Sequence, residues 1–86
     1  MAVKSWRDRK FIKLFAQLPD HVQHLAEQKF LLWRANPAHP SLDFKELTHN
    51  RWSVRVGDHY RAVGIRHGEL IIWYWIGTHE KYNNLL

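Results

Sequence analysis

Cysteine is absent from this chain. That excludes disulfide bonds and thiolate metal sites. It fits a reducing compartment, so a cytoplasmic location is expected. No apolar run approaches the ~20 residues needed to cross a bilayer, and no membrane association is expected. The leading segment, Met1–Lys10, carries its charges with no apolar core behind them, so it does not read as a secretory signal. Repeats and low-complexity segments are lacking too. There is no glycine-rich phosphate loop, no paired-carboxylate motif and no nucleophile elbow. Any enzymatic activity is therefore expected to proceed without a metal or an organic cofactor.

What is present is basic and aromatic. The 86 residues have room for one domain, spanning 1–86. A chain this small buries only somewhat more than roughly 60% of its unfolded surface. Five Trp, three Tyr and four Phe compensate, because each aromatic ring buries a large area. A net charge of +5 favours an acidic or polyanionic partner, although a solvated basic surface has the same composition.

The first third reads as two helices. Ser5 is a candidate N-cap, with Asp8 three residues on as its capping partner. Phe11, Ile12, Leu14, Phe15 and Leu18 recur at helical spacing until Pro19. A second helix is expected from Asp20, which can cap it. Val22, Leu25, Ala26, the Lys29 stem, Phe30 and Trp33 form its apolar stripe. It should end near Arg34 or Ala35, because Pro37 disfavours helix at Asn36. So short a link predicts an antiparallel helical hairpin. Asn36–Ser41 reads as loop. Leu42–Leu47 fits neither period, with a short strand expected at Lys45–Thr48.

The last third reads as strands. Trp52, Val54 and Val56 alternate with Ser53 and Arg55. His67-Gly68 suits a two-residue primed turn. That register would pair Arg66 with Glu69, Gly64 with Ile71, Ala62 with Trp73 and Arg61 with Tyr74. One face then carries Ile71, Trp73 and Trp75, and the other Arg61, Val63, Ile65, Ile72 and Tyr74. The helices can cover only one face; the other needs the C-terminal tail, a partner protein or a stacked base. The expected fold class is α+β: an N-terminal helical hairpin on a small three- to four-stranded antiparallel sheet, with a short C-terminal helix or tail.

Arginines in mid-strand are unusual, since strand positions normally serve burial or harmless polar exposure. Arg55 and Arg61 flank the Gly57 turn. A three-residue loop sets them directly opposite each other, which is destabilising unless an anion pairs them. A phosphate suits the bidentate guanidinium fork. A two-residue loop points them to opposite faces. Alternatively each arginine pairs with a carboxylate such as Asp58, Glu46 or Glu80. His79 and Tyr82 are three residues apart, so one helical turn puts both on one side. An imidazole there can move a proton and a phenol can stack on a base. They can equally be a helix cap and a core aromatic. His21 and His24 share a helix face, but no Asp or Glu completes a metal site. Lys4, Arg7, Arg9, Lys10 and Lys13 form a basic cluster with Asp8 as its one acid. It is either a solvated face or a salt-sensitive attraction for phosphate backbone.

These pieces, in this order, resemble the RelE/ParE superfamily of bacterial toxins from type II toxin–antitoxin modules. The matching segments are Leu18-Pro19, Asn36-Pro37-Ala38-His39-Pro40-Ser41-Leu42, Trp52-Ser53-Val54-Arg55-Val56, Tyr60-Arg61-Ala62-Val63 and Trp75-Ile76-Gly77-Thr78-His79-Glu80-Lys81-Tyr82. They cover nearly the whole chain. The resemblance implies a helical hairpin on an antiparallel sheet and a cognate antitoxin partner. For the RNA-cleaving branch it implies an mRNA endonuclease, often acting at the ribosome, in which the 2′-hydroxyl attacks the adjacent phosphorus. By the same resemblance Arg61 would meet the scissile phosphate, with His79 and Tyr82 completing the catalytic set. Lys45, Arg51, Arg55 and Lys81 would contact RNA. The ParE-like branch implies DNA gyrase as target without RNA cleavage. A third possibility within the fold is an inactive module that only binds antitoxin. The very basic terminal segment of some ribosome-dependent members is missing here.

Overall fold

Two glycine turns and one helix-capping aspartate frame the molecule. The computed structural model describes residues 4–85. Met1–Val3, part of the leading segment in which no signal core was expected, and Leu86 lie outside them. The element order is β1 (Lys4–Arg7), α1 (Arg9–Ala16), α2 (Asp20–Ala35), a 3-10 turn (Pro40–Leu42), β2 (Lys45–Thr48), β3 (Arg51–Val56), β4 (Tyr60–His67), β5 (Leu70–Thr78) and α3 (His79–Leu85). The architecture is α+β, with a five-stranded sheet in the order β1-β5-β4-β3-β2.

The edge strand β1 is one strand more than the three or four expected. Ser5 lies in it rather than capping a helix, and it pairs in parallel with Ile71. Four residues are too few for a strand pattern to show in sequence, and only the exposed backbone of β5 draws them into the sheet. Asp8 takes the capping role: its carboxylate accepts from the Phe11 N–H at 2.8 Å, satisfying one orphan donor of α1. α1 stops at Ala16 with Gln17 as its C-cap, short of the expected end at Pro19, and Pro19 occupies the N-cap of α2. Asp20 is therefore the first helical residue rather than the cap. Its charge still suits the positive end of the helix dipole. The helix runs to Ala35, as Pro37 requires.

Both helices feed one core on one face of the sheet. Phe11 from α1 and Ala26 and Trp33 from α2 bury against Val54, Val56, Ala62, Ile71, Trp73 and Ile76. Trp33 meets Trp73 edge to face at 5.5 Å and Phe44 at 5.7 Å, geometries the ring quadrupoles favour. Arg7 leaves the expected basic cluster. Its guanidinium lies 4.7 Å from the Phe30 ring centre and pairs with Glu27. Lys4, Arg9, Lys10 and Lys13 stay exposed.

The strand registers decide what the second face carries. Gly57 adopts φ +71° and opens a three-residue loop, so Val56 pairs with Tyr60 and Arg55 directly with Arg61. The next turn falls one residue later than its sequence suggests. Gly68 (φ +61°) and Glu69 form it, pairing His67 with Leu70 and Arg66 with Ile71. A bulge follows: Val63 pairs with Trp75 but Gly64 with Trp73, leaving Tyr74 as the extra residue. The expected pairs Gly64–Ile71, Ala62–Trp73 and Arg61–Tyr74 become Gly64–Trp73, Ala62–Ile76 and Arg61–Gly77. The bulge also sends Trp75 to the face opposite Trp73. There Trp75 packs with Val63 and Tyr82.

That face was expected to need a cover, and α3 supplies it. Tyr82 is 4% exposed and Val63 1%. An uncovered apolar sheet face therefore no longer argues for a partner. Among the described residues, the exposed large apolar side chains are Trp6, Ile12, Leu31 and Leu85, spread over four elements. No helix among them is long and apolar enough to cross a membrane.

Candidate active site

Arg61 is the centre of the α3 side of the sheet. It is the second residue of β4, where a side chain must point to one face or the other. The three-residue turn and the bulge put it opposite Arg55 on one side and Gly77 on the other. Only 7% of it is exposed. Burying an ionised side chain is costly unless it is paired and hydrogen-bonded. Arg61 is paired. Its Nη2 donates to Asp43 Oδ2 at 2.8 Å, and its guanidinium carbon sits 5.1 Å from the Tyr82 ring centre. Its Nε and Nη1 are buried without a partner.

Asp43 reaches this position through a strained approach. His39 caps the 3-10 turn, its Nδ1 accepting from the Ser41 N–H at 3.1 Å. Leu42 is fully buried and anchors the turn. Asp43 then takes φ +43°, ψ +45°, a left-handed conformation that aspartate tolerates better than most residues. The same Oδ2 lies 3.5 Å from Lys45 Nζ. The Arg61 hydrogen bond holds the Asp43 carboxyl below the usual aspartate value. Burial pushes the other way, and the Lys45 charge adds to the lowering.

Tyr82 forms the floor beside Arg61. Its hydroxyl donates to Ser53 Oγ at 3.3 Å, and Ser53 is fully buried in β3. Packed against Val63 and Trp75, the ring has almost no surface left for a base to stack on. His79 is exposed at the start of α3, its ring centre 5.8 Å from that of Tyr82. Thr78 rather than His79 caps this helix, accepting from the Lys81 N–H at 3.2 Å. The contacts thus form one line from Lys45 through Asp43, Arg61 and Tyr82 to His79.

Three other sequence candidates stand apart from that line. Arg55 borders Arg61 but pairs with Asp58 at 3.6 Å, across the loop it precedes. Arg51 donates from Nε to the Tyr74 hydroxyl at 3.1 Å. It lies four residues from Arg55, or ~13 Å along the strand. Lys81 is exposed on α3. The alternative of carboxylate partners thus holds for both turn-flanking arginines, with Asp58 as expected for Arg55 and Asp43 unforeseen for Arg61.

Comparison with known proteins adds the family. The ParE-like toxin domain matches residues 20–84, which is most of the chain. The chain belongs to the ParE-like toxin domain family. Its fold is shared by solved structures of low sequence identity. RelE in the RelB–RelE antitoxin–toxin complex of Methanococcus jannaschii superposes with a TM-score of 0.73 at 19% identity, covering 94% of this chain and 98% of that one. The RelBE2 toxin–antitoxin complex of Mycobacterium tuberculosis gives 0.71 at 14%, covering 92% and 100%. The isolated E. coli RelE toxin gives 0.65 at 14%, covering 99% and 100%. No curated protein sequence matches. The toxin domain is thus a RelE/ParE superfamily toxin, as its sequence motifs suggested.

Two residues of this toxin domain escaped sequence reasoning. Asp43 sits in the segment with neither helical nor strand period. The available signal was Arg61 itself, since a strand arginine that is buried demands a nearby acid. Ser53 read as the outward polar member of a half-buried strand, yet α3 closes over it. Among the described residues, no three His, Asp or Glu side chains converge to hold a metal. His21 and His24 are exposed on α2.

Proposed function

We propose that this toxin domain is the toxin of a type II toxin–antitoxin system and that it cleaves mRNA. The observation that carries this reading is the line of Lys45, Arg61, Tyr82 and His79 on one face of the sheet. A ribose-phosphate lying across it meets cations at one end and an exposed imidazole at the other. In the reaction the 2′-oxygen bonds to the adjacent phosphorus and its proton passes to solvent. The bond from phosphorus to the 5′-oxygen breaks, and His79 protonates that leaving oxygen. A 2′,3′-cyclic phosphate and a free 5′-hydroxyl remain. Arg61 and Lys45 stabilise the charge that grows on the phosphorane oxygens. Tyr82 holds Arg61 in place rather than contacting the base. Arg55 and Lys81 extend the basic surface along the RNA, and Arg51 lies at its far end. Docking on ribosomal RNA through that surface would weaken with salt.

A second reading is favoured by the burial of Arg61 in its pair with Asp43: a toxin that inhibits gyrase and leaves RNA intact. Primer extension on transcripts from induced cells separates the two. His79→Ala alters an exposed side chain, and circular dichroism can verify the fold. Under the nuclease reading it lowers cleavage by about 10²–10⁴-fold. Cleavage at the wild-type rate in this variant overturns that reading, as do intact transcripts accompanied by blocked supercoiling. In either case the partner is an acidic antitoxin. The net charge of +5 and the exposed Lys4, Arg9, Lys10 and Lys13 support it. So do the fold relatives solved in complex with RelB antitoxins.

A further inference from the structure

We infer that Asp43 is an internal gate on the anion site, its carboxylate holding the place beside Arg61 and Lys45 that an RNA phosphate must take. This deepens the nuclease reading and rests on it for the identity of the anion.

The geometry leaves one way in. Arg61 is 7% exposed, and its Nε and Nη1 are buried without partners. The Nη2 edge carries the Asp43 carboxylate, and that side chain is 42% exposed. Asp43 therefore stands on the solvent side of a guanidinium that is otherwise enclosed. A phosphate that reaches Arg61 has to displace it. The same oxygen also engages Lys45, so a single displacement frees two cations. A phosphate brings more oxygens and more charge than one carboxylate. Removing Asp43 without a substitute would strand a buried positive charge, which is strongly unfavourable. The residue thus serves two ends in one contact: it keeps the empty site folded, and it competes with the ligand.

Asp43 lies between the buried Leu42 and β2, in a left-handed backbone conformation. Asparagine adopts that conformation as well as aspartate does and carries no charge. Asp43→Asn is therefore the informative variant, since it removes the competing anion and keeps the turn.

The probe is inorganic phosphate, titrated against the full chain with thermal unfolding as readout and chloride matching the ionic strength. The expected result is an apparent dissociation constant for phosphate at least about tenfold lower in Asp43→Asn than in the wild type, seen as a larger rise in midpoint per increment of phosphate. Adding Arg61→Met to that variant should abolish the response. Equal phosphate responses in wild type and Asp43→Asn overturn the gate. If Asp43→Asn is unfolded in chloride, phosphate should restore its fold, and failure to do so overturns the gate equally. Acetate acting as strongly as phosphate would reassign the site to a carboxylate from an acidic protein and overturn the RNA assignment. None of these readings uses RNA cleavage. A variant that takes phosphate more tightly yet leaves transcripts whole upholds the gate and removes the nuclease.

Discussion

At the scale of single residues, the Asp43–Arg61 pair makes a pH prediction with a definite sign. The guanidinium's hydrogen bond lowers the folded-state pKa of Asp43 below its unfolded value. The stabilisation is therefore fully present above the ordinary aspartate value of about 4. It is lost as pH falls below that value and through the folded one. Urea midpoints measured from pH 7 down to pH 2 should show the wild type losing stability in that acid window more steeply than Asp43→Asn. Parallel profiles for the two proteins would show that the pair contributes nothing. Of the sequence candidates, Arg61 was legible because an arginine among apolar strand residues breaks the normal strand pattern. Its partner was not, because Asp43 is brought there by a turn with no periodic signature.

At the scale of elements, the bulge at Tyr74 has the widest effect. It moves Trp75 across the sheet and places it beside Gly77. A methyl group at position 77 would lie 2.7 Å from Trp75 Cζ2 and 2.9 Å from its Cη2. The indole is buried against Val63 and Tyr82, so it cannot swing into solvent. Gly77→Ala is expected to destabilise the domain by about 1–3 kcal/mol through overpacking. The check is a lower urea midpoint at an unchanged m-value. An unchanged midpoint would mean that the indole shifts freely. The helices and the β3–β5 strands were readable because their apolar periods persist over many residues. Strand β1 was not, since its four residues gain their conformation only from pairing with β5.

At the scale of the whole molecule, α3 joins fold to site. It supplies Tyr82, which closes the second face, fixes Ser53 and backs Arg61. Deleting residues 79–86 removes that ring and uncovers Val63 and Trp75. Losing a buried aromatic side chain alone costs about 3–5 kcal/mol. For a domain of this size that lowers the thermal midpoint by more than about 10 °C. A rise in binding of an apolar dye should accompany it. A truncated chain with the parent's midpoint and no dye binding would show that α3 is only an appendage. The same element presents His79, so this deletion removes fold support and the proposed proton donor together. His79→Ala removes only the second.

The amino-acid sequence by itself determined the bounds of the second helix between Pro19 and Ala35, the alternation in β3, the turn at Gly57 and the order of motifs shared with the toxin superfamily. These depend on backbone preference and on apolar spacing, which act over a few neighbouring residues. Only the tertiary structure decided the parallel edge strand, the bulge that re-faces Trp75 and the carboxylate that meets Arg61. Each depends on groups far apart in the chain competing for one hydrogen-bonding edge or one buried charge. The winner of that competition is set by packing, which local pattern does not record.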